Sequence, residues 1–220
     1  MSSRLTKALV GAGAAVAALT VGMTSASAAV TYTVSAGSAT AGTSVAINGK
    51  TTGALPRITF NDTTTNNALT CDSGTAPGTT KAGSGQAGAK IGKINGAGTG
   101  WTNCTGPFGL QFTVTGVGAW YINATGGNAA GVTGTISNIL AHVTSTAGCN
   151  FDVTGSVPIK YTNSSQILQV LTTSAGLTLS NVTSSACFGL LNNGDKATFS
   201  AKYKLTARTA AYNPVQITRP

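Results

Sequence analysis

The chain has 220 residues, with 13 lysines and arginines against four aspartates and no glutamate, and a formal net charge of +9. Residues that build solvated helix faces are scarce while Thr, Ser, Gly, Ala and Val dominate, so the composition favours β-strands joined by turns over helices. The lysines form no run and few aromatic residues lie among them, which argues against nucleic-acid binding.

The first 28 residues are typical of an export signal. Arg4 and Lys7 precede an apolar run over 8–21, and Ala26-Ser27-Ala28 forms a small-residue cleavage site. This run is shorter than the ~20 residues that span a bilayer, and no second run of that length follows. We therefore expect a signal peptide over 1–28, a secreted β domain over 29–220, no integral membrane span, and an extracellular product that is free or associated with the cell surface.

Alternation of apolar and polar residues predicts strands along the rest of the chain. The first covers 30–34, and a second through 45–47 ends at Asn48-Gly49, a favoured two-residue hairpin turn. The alternation changes phase within 136–139, which indicates a β-bulge near 137–138. The further predicted strands are 58–60, 68–71, 110–115, 119–123, 132–144, 149–157, 167–171, 177–182 and 197–207.

Residues 72–103 have a different composition, because nine of these 32 residues are glycine and most of the others are Ala, Ser or Thr. We predict a long loop with one short strand at 91–94. Residues 83–88 match the glycine spacing of a dinucleotide-binding turn, but that turn requires a strand before it and a helix after it. No nucleotide site is expected here.

Residues 197–207 form the clearest predicted strand. The odd-numbered residues from Ala197 to Leu205 are apolar or aromatic and the even-numbered ones are polar, so one face lies in the core and the other in solvent. Asn193-Gly194-Asp195 comes directly before it and is typical of a turn. A calcium loop would need more oxygen ligands at close spacing, and no other acid is near in sequence, so no metal site is expected.

The four cysteines are Cys71, Cys104, Cys149 and Cys187. An even number in an exported chain predicts disulfides, for which three connectivities exist. No pair has the Cys-x-x-Cys spacing of a zinc or redox site. We predict pairing in sequence order, which closes residues 72–103 between Cys71 and Cys104 and restricts the unfolded chain.

The chain carries few residues suited to catalysis. His142 is its only histidine, and it is expected to face solvent because its neighbours Ala141 and Val143 face the core. No Gly-x-Ser-x-Gly elbow is present, and four dispersed aspartates provide no obvious acid pair. We expect no enzymatic activity, no catalytic residue and no cofactor.

Two groups of residues are candidates for binding. Trp101 and Tyr121 are candidates for stacking on a ligand or a sugar ring, although aromatic residues more often fill cores. Lys202 and Lys204 point to the solvent face of the last strand and Lys196 precedes them, so they are candidates for contact with anionic polymer. Alternatively, these lysines protect an edge strand from pairing with other molecules.

Four stretches resemble a family of small secreted proteins of actinobacteria: FNDTTTNNALTC, GVTGTISNI, CNFDVTGSVPIKYTN and CFGLLNNGDKATFSAKYKL. The resemblance covers the chain from Ile58 to Leu205 and rests on the cysteine placement together with the Asn-Gly-Asp turn. It implies export and a β fold but no particular activity. The cysteine layout is also similar to that of small secreted activators of alkane oxidation, a role that we do not transfer.

These observations predict an all-β protein, built as a single antiparallel β-sandwich or partly closed barrel with two disulfides. The expected function is a non-enzymatic structural or adhesive role at the cell envelope, with anionic cell-wall polymer or glycan as partner. The alternative is a secreted binding module for a small ligand or glycan. A pocket lined by Trp101 and Tyr121 would favour the binding module, and a surface without a concavity would favour the structural role.

Overall fold

The computed structural model describes residues 30–183 and 185–220, and the export signal predicted over 1–28 lies outside these residues. Three short 3-10 turns occur at 96–98, 107–109 and 210–212, and no helix within the described residues has the length and apolar character needed to cross a membrane. The strands are β1 (Thr31–Ala36), β2 (Ser44–Thr51), β3 (Ile58–Asp62), β4 (Ala68–Cys71), β5 (Ser73–Lys81), β6 (Gly83–Ala87), β7 (Gly92–Asn95), β8 (Gly100–Thr102), β9 (Cys104–Thr105), β10 (Gln111–Gly116), β11 (Ala119–Asn128), β12 (Gly131–Ser145), β13 (Asn150–Thr162), β14 (Ile167–Val170), β15 (Leu177–Ser180), β16 (Lys196–Ala207) and β17 (Val215–Thr218).

Most strands belong to one antiparallel sheet that closes on itself as a partly closed barrel. From β16 the ring continues through β2, β5, β7, β11, β12 and β13, and β13 returns to β16 through β14 and β15. A second row of short strands, β3, β4, β9 and β10, also runs from β16 to β12. Both rows fit because β12 and β16 are long strands. One half of each pairs with the ring strands, β11 or β2, and the other half pairs with the short strands, β10 or β3.

The predicted pattern of β16 is confirmed. Ala197, Ala201, Tyr203 and Leu205 are buried, while the lysines between them are exposed, as expected for a strand with one face in the core. The turn before it is also confirmed, since Gly194 has φ of 92° and Asp195 Oδ2 accepts a hydrogen bond from the backbone N–H of Asn192 at 2.7 Å.

The predicted bulge and both predicted disulfides are confirmed. The pairing of β12 with β13 shifts register between Ile136 and Ile139, where Asn138 has φ of 59°. Cys71 bonds to Cys104 and joins β4 to β9, and Cys149 bonds to Cys187 and ties the start of β13 to the loop that precedes β16. All four cysteines are buried.

The loop predicted over 72–103 is wrong, because β5, β6, β7 and β8 occupy most of this segment. Its glycines allow neighbouring backbones to approach closely. A Cβ at Gly78 would lie 2.3 Å from the carbonyl oxygen of Lys93, and one at Gly88 would lie 2.1 Å from the carbonyl oxygen of Ala124. The segment lacks the periodic large apolar residues that reveal a strand, since small residues replace them where strands crowd together.

The hairpin turn predicted at Asn48-Gly49 is also wrong. β2 runs straight through these residues to Thr51. Gly49 pairs with Ala76 on one side and with Leu205 on the other, so both edges of the strand are occupied. Ladder pairing on both edges overrides the local preference of Asn-Gly for a turn.

A three-stranded sheet of β6, β1 and β17 packs against one end of the ring. Tyr32 and Val34 of β1 are buried in the main core. Tyr161 of β13 donates its hydroxyl to the carbonyl oxygen of Val215 at 2.6 Å, and burial of this tyrosine raises its pKa. These contacts close that end of the barrel with apolar packing and a buried hydrogen bond.

Candidate functional site

An apolar cavity of about 90 Å³ lies inside the ring. Its wall consists of inward-facing side chains from both rows of strands, because successive residues of a strand point to opposite faces. A water molecule needs roughly 10–15 Å³ and several polar partners, whereas apolar cavities stay dry and accept apolar molecules. The side chains that line it include Ile58, Phe60, Ile122, Ile136, Val153 and Leu168.

Few polar groups lie in this wall, and nearly all of them are already hydrogen-bonded. The Thr99 hydroxyl and Trp120 Nε1 donate to backbone carbonyl oxygens at 2.6 and 3.0 Å. Trp101 Nε1 donates to Tyr203 Oη at 3.2 Å, and the hydroxyl hydrogen of Tyr203 has no acceptor among the described residues. The cavity therefore offers a ligand one free hydrogen-bond donor, the phenol of Tyr203.

Two tryptophans form an aromatic corner of the cavity. The rings of Trp101 and Trp120 stack with centroids 6.1 Å apart and planes inclined by 24°. Gly74 lies opposite Trp101 in the pairing of β5 with β8, and a Cβ there would lie 2.8 Å from Trp101 Cδ1. A Cβ at Gly116 would lie 2.9 Å from Trp120 Cζ2. Glycine at these two positions makes the space that the indole rings occupy.

The structure does not bring together the predicted stacking residues Trp101 and Tyr121. Trp101 lines the cavity, but Tyr121 follows the buried Trp120 on β11 and points to the other face of the strand. The ammonium group of Lys90 lies 4.5 Å from the centre of the Tyr121 ring, in a cation–π contact on the outer wall. Trp120, rather than Tyr121, is the aromatic partner of Trp101.

The three candidate lysines lie on the outer wall of the barrel. Lys196 Nζ donates to Thr178 Oγ1 at 2.7 Å, and Lys204 Nζ donates to the carbonyl oxygen of Ser165 at 2.6 Å. Lys202 is exposed. The alternative that they protect an edge strand is wrong, because β16 pairs with β14 and β15 on one side and with β2 and β3 on the other.

Strand pairing brings two further lysines to the same wall, and sequence reasoning missed both. Lys50 of β2 pairs directly with Lys204. Lys160 of β13 pairs with Gln169, which in turn pairs with Lys202. Lys50, Lys160, Lys202 and Lys204 therefore form a cationic surface across four neighbouring strands, which we call the lysine wall.

None of the four aspartates, all of which lie in the described part of the chain, has a carboxylate oxygen within 4.0 Å of a lysine or arginine side-chain nitrogen. Asp62 is fully buried and accepts from the backbone N–H groups of Thr64 and Thr65, and Asp195 is buried in the turn before β16. Within residues 30–183 and 185–220, the ion pair between His142 and Asp152 is the one acid–base contact within 4.0 Å. No lysine or arginine of the described chain is paired with a carboxylate.

His142 and Asp152 form a cross-strand pair on the outer wall. His142 Nδ1 lies 2.5 Å from Asp152 Oδ1, and Asn181 Nδ2 donates to Asp152 Oδ2 at 2.7 Å. The hydrogen bond from His142 lowers the pKa of the Asp152 carboxyl below its ordinary value. Half of the His142 side chain is exposed, which confirms its predicted orientation.

The part of the chain that the structure describes contains no group of three or more His, Cys, Asp or Glu side chains that could hold a metal.

Sequence reasoning missed three features of the site. The Tyr203 phenol was predicted only as a core residue, and the contacts of Lys50 and Lys160 depend on pairing between strands distant in sequence. The spacing of ten residues between His142 and Asp152 around one hairpin could have indicated a cross-strand pair.

No protein-family model matches the chain, and neither does any curated protein or any solved structure.

Proposed function

We propose that the protein is a non-enzymatic extracellular carrier that binds a small apolar molecule inside its barrel. The observation that carries this proposal is the apolar cavity, whose wall contains two stacked tryptophans and one phenol with a free hydrogen. Small-molecule sites are typically apolar concavities with a few placed polar groups. Two disulfides are compatible with an extracellular protein.

The size and chemistry of the cavity limit its ligand. An engineered apolar cavity of about 150 Å³ accepts benzene, which has six non-hydrogen atoms, so about 90 Å³ suits roughly four non-hydrogen atoms, or five to six with a small movement of the wall. The free hydrogen of Tyr203 favours a molecule with one acceptor, such as a small ketone or ether. The wall has too few polar partners for the hydroxyl groups of a sugar, so an apolar ligand is favoured over a glycan.

Titration with cyclopentanone and cyclopentane tests the carrier function. Trp101 and Trp120 line the cavity, so their fluorescence reports binding. We expect saturable binding of both probes, with cyclopentanone bound about two- to tenfold more tightly through one hydrogen bond. Ala141→Leu introduces a larger side chain into the cavity and should weaken binding of both probes, whereas Thr113→Leu on the exposed face of β10 should not.

Two results would contradict the carrier function. One is the absence of saturable binding for both probes. The other is equal affinity in the parent protein, Ala141→Leu and Thr113→Leu, with unchanged melting temperatures, because binding would then occur away from the cavity. A polar probe of similar size, glycerol, provides the negative control.

Retention at the cell envelope is a second candidate function, which the lysine wall supports. Eleven lysines and arginines follow residue 29, and those of the described chain lack carboxylate partners. An unneutralised cationic surface attracts anionic polymers such as those of a cell wall, with a strength that salt reduces. This surface would hold the carrier at the envelope and would serve the structural or adhesive role equally well.

A further inference from the structure

Two exposed turns of the chain share the sequence Phe-Gly-Leu. They are Phe108–Leu110, between β9 and β10, and Phe188–Leu190, before β16. Phe108 is 84% exposed and Phe188 is 65% exposed, the largest exposures among the big apolar side chains described. A soluble protein ordinarily exposes single apolar residues without consequence, but the same aromatic turn occurring twice requires an explanation.

The backbone holds both phenylalanines outward in a disfavoured conformation. Phe108 has φ of 57° and Phe188 has φ of 54°, and the glycine after each also has positive φ, 75° and 69°. An L-residue with a bulky side chain rarely adopts the left-handed region. The same left-handed Phe-Gly backbone therefore occurs in both turns, and in both the phenylalanine ring is exposed.

Both turns are tied firmly to the barrel. Leu110 and Leu190, the third residues of the two motifs, pack against the hydrophobic core. Phe188 directly follows Cys187, which is bonded to Cys149, and the Cys71–Cys104 disulfide precedes Phe108 by four residues. The exposed rings are therefore presented on anchored turns, so their insertion into a partner would cost little ordering entropy.

The two turns lie at the same end of the barrel, opposite the three-stranded sheet. Pro107 and Leu191, which flank the motifs, line one small cavity of about 20 Å³. Phe60, Leu69 and Phe151 line this cavity and also the main one, so the two cavities are neighbours. We call this end, with its exposed Phe108 and Phe188, the phenylalanine tip.

The loops of the phenylalanine tip carry no charge. Residues 63–67, 103–111, 144–150, 181–183 and 185–194 contain no Asp, Glu, Lys, Arg or His, and they are rich in Thr, Ser, Asn and Gly. Charged residues adjoin these loops: the exposed Lys196 bonds to Thr63 and Thr64, and Asp152 accepts a hydrogen bond from Asn181. The lysine wall lies along the side of the barrel instead. A surface of this kind, with protruding aromatic rings and small uncharged polar residues around them, loses little hydration energy when it enters an interface.

We propose that the phenylalanine tip docks the protein on a phospholipid membrane by inserting Phe108 and Phe188 into the interfacial region. Two aromatic side chains cover about 300–500 Å², far below the roughly 1,200 Å² of a stable protein–protein interface. A lipid interface needs no shape complementarity and binds such side chains in proportion to the apolar area that they bury. The excess of cations over acids in the rest of the chain favours approach to an anionic leaflet.

Co-sedimentation of the disulfide-bonded protein with lipid vesicles tests this docking, independently of the cavity ligand. The vesicles consist of phosphatidylcholine alone or of phosphatidylcholine mixed with phosphatidylglycerol. We expect Phe108→Ser and Phe188→Ser each to reduce the partition constant about tenfold or more, and the double variant to reach background. Phe108→Leu should retain most of the binding, because it keeps an apolar side chain at the same position.

Leu55→Ser is the matched control, since Leu55 is 60% exposed on the loop between β2 and β3, away from the tip. It should leave vesicle binding unchanged. Three results would overturn the proposal. The first is that the parent protein does not bind vesicles. The second is binding that neither phenylalanine substitution changes and that added salt abolishes, and the third is that the variants lose self-association but keep vesicle binding. The second would assign membrane contact to the lysine wall, and the third would make a second copy of the chain the partner.

Discussion

Trp101 donates its indole N–H to the phenolic oxygen of Tyr203 at 3.2 Å, joining two residues that are 102 positions apart in the wall of the apolar cavity. Burial raises the pKa of Tyr203 to about 12, so the phenol stays protonated at physiological pH. The hydrogen bond uses the oxygen of Tyr203 as acceptor and leaves its hydrogen for a ligand. This contact therefore ties β8 to β16 and leaves one hydrogen-bond donor in the cavity wall.

Tyr203→Phe should remove both effects. Trp101 would lose its acceptor, and we expect the free energy of unfolding to fall by about 1–3 kcal/mol, measured by urea denaturation. The preference for cyclopentanone over cyclopentane should disappear while binding of cyclopentane remains. Tyr212→Phe, at a half-buried tyrosine outside the cavity, is the control and should change neither property. A preserved preference in Tyr203→Phe would show that the phenol does not contact the ligand.

The lysine wall should determine retention on anionic polymer. Replacing Lys202 and Lys204 by Ser should release the protein from isolated cell walls at lower salt than the parent, because two of four clustered cations are lost. The melting temperature should be unchanged, since both side chains are exposed. Replacing Lys81 and Lys93 by Ser changes the net charge equally on strands outside the wall. Equal release by both pairs would indicate a response to net charge alone.

The pair of His142 and Asp152 predicts a dependence of stability on acid. The hydrogen bond from His142 is the main reason why the pKa of Asp152 is lower in the folded protein than its ordinary value of 3.8. The stability that this lowering contributes is fully present when the pH is above the pKa of Asp152 in the unfolded chain. It is lost as the pH falls through the lower pKa that Asp152 has in the folded protein. Urea unfolding between about pH 6 and about pH 2 measures this loss. Asp152→Asn and His142→Gln should both show a shallower decline below about pH 4. Profiles identical to the parent would exclude a stabilising role for the pair.

The two disulfides should stabilise the fold to a similar extent, because they span 33 and 38 residues. In the chain-entropy description, loops of this length contribute about 3.5–4 kcal/mol each. Urea denaturation of the Cys71→Ser/Cys104→Ser and Cys149→Ser/Cys187→Ser variants measures these contributions. The second variant should also weaken vesicle binding more than the first, since Cys187 directly precedes Phe188. A much smaller loss of stability in either variant would mean that packing alone holds the joined strands.

Local pattern was sufficient to predict several parts of the structure. The alternation over 197–207 predicted the buried and exposed faces of β16, and the phase change within 136–139 predicted the bulge. The turn at 193–195 and the sequential disulfides were likewise predicted. Each of these depends on residues near each other in the chain, or on cysteines few enough to pair in only three ways.

Tertiary structure alone decided the rest. Small residues within 72–103 form strands because neighbouring backbones crowd them, and Asn48-Gly49 stays extended because β5 and β16 occupy both edges of β2. Ring closure gathers the cavity wall, the lysine wall and the phenylalanine tip from strands and loops far apart in sequence. A strand's pattern determines which face is buried, but only the register between strands determines which side chains meet, and that register is a property of the whole folded sheet.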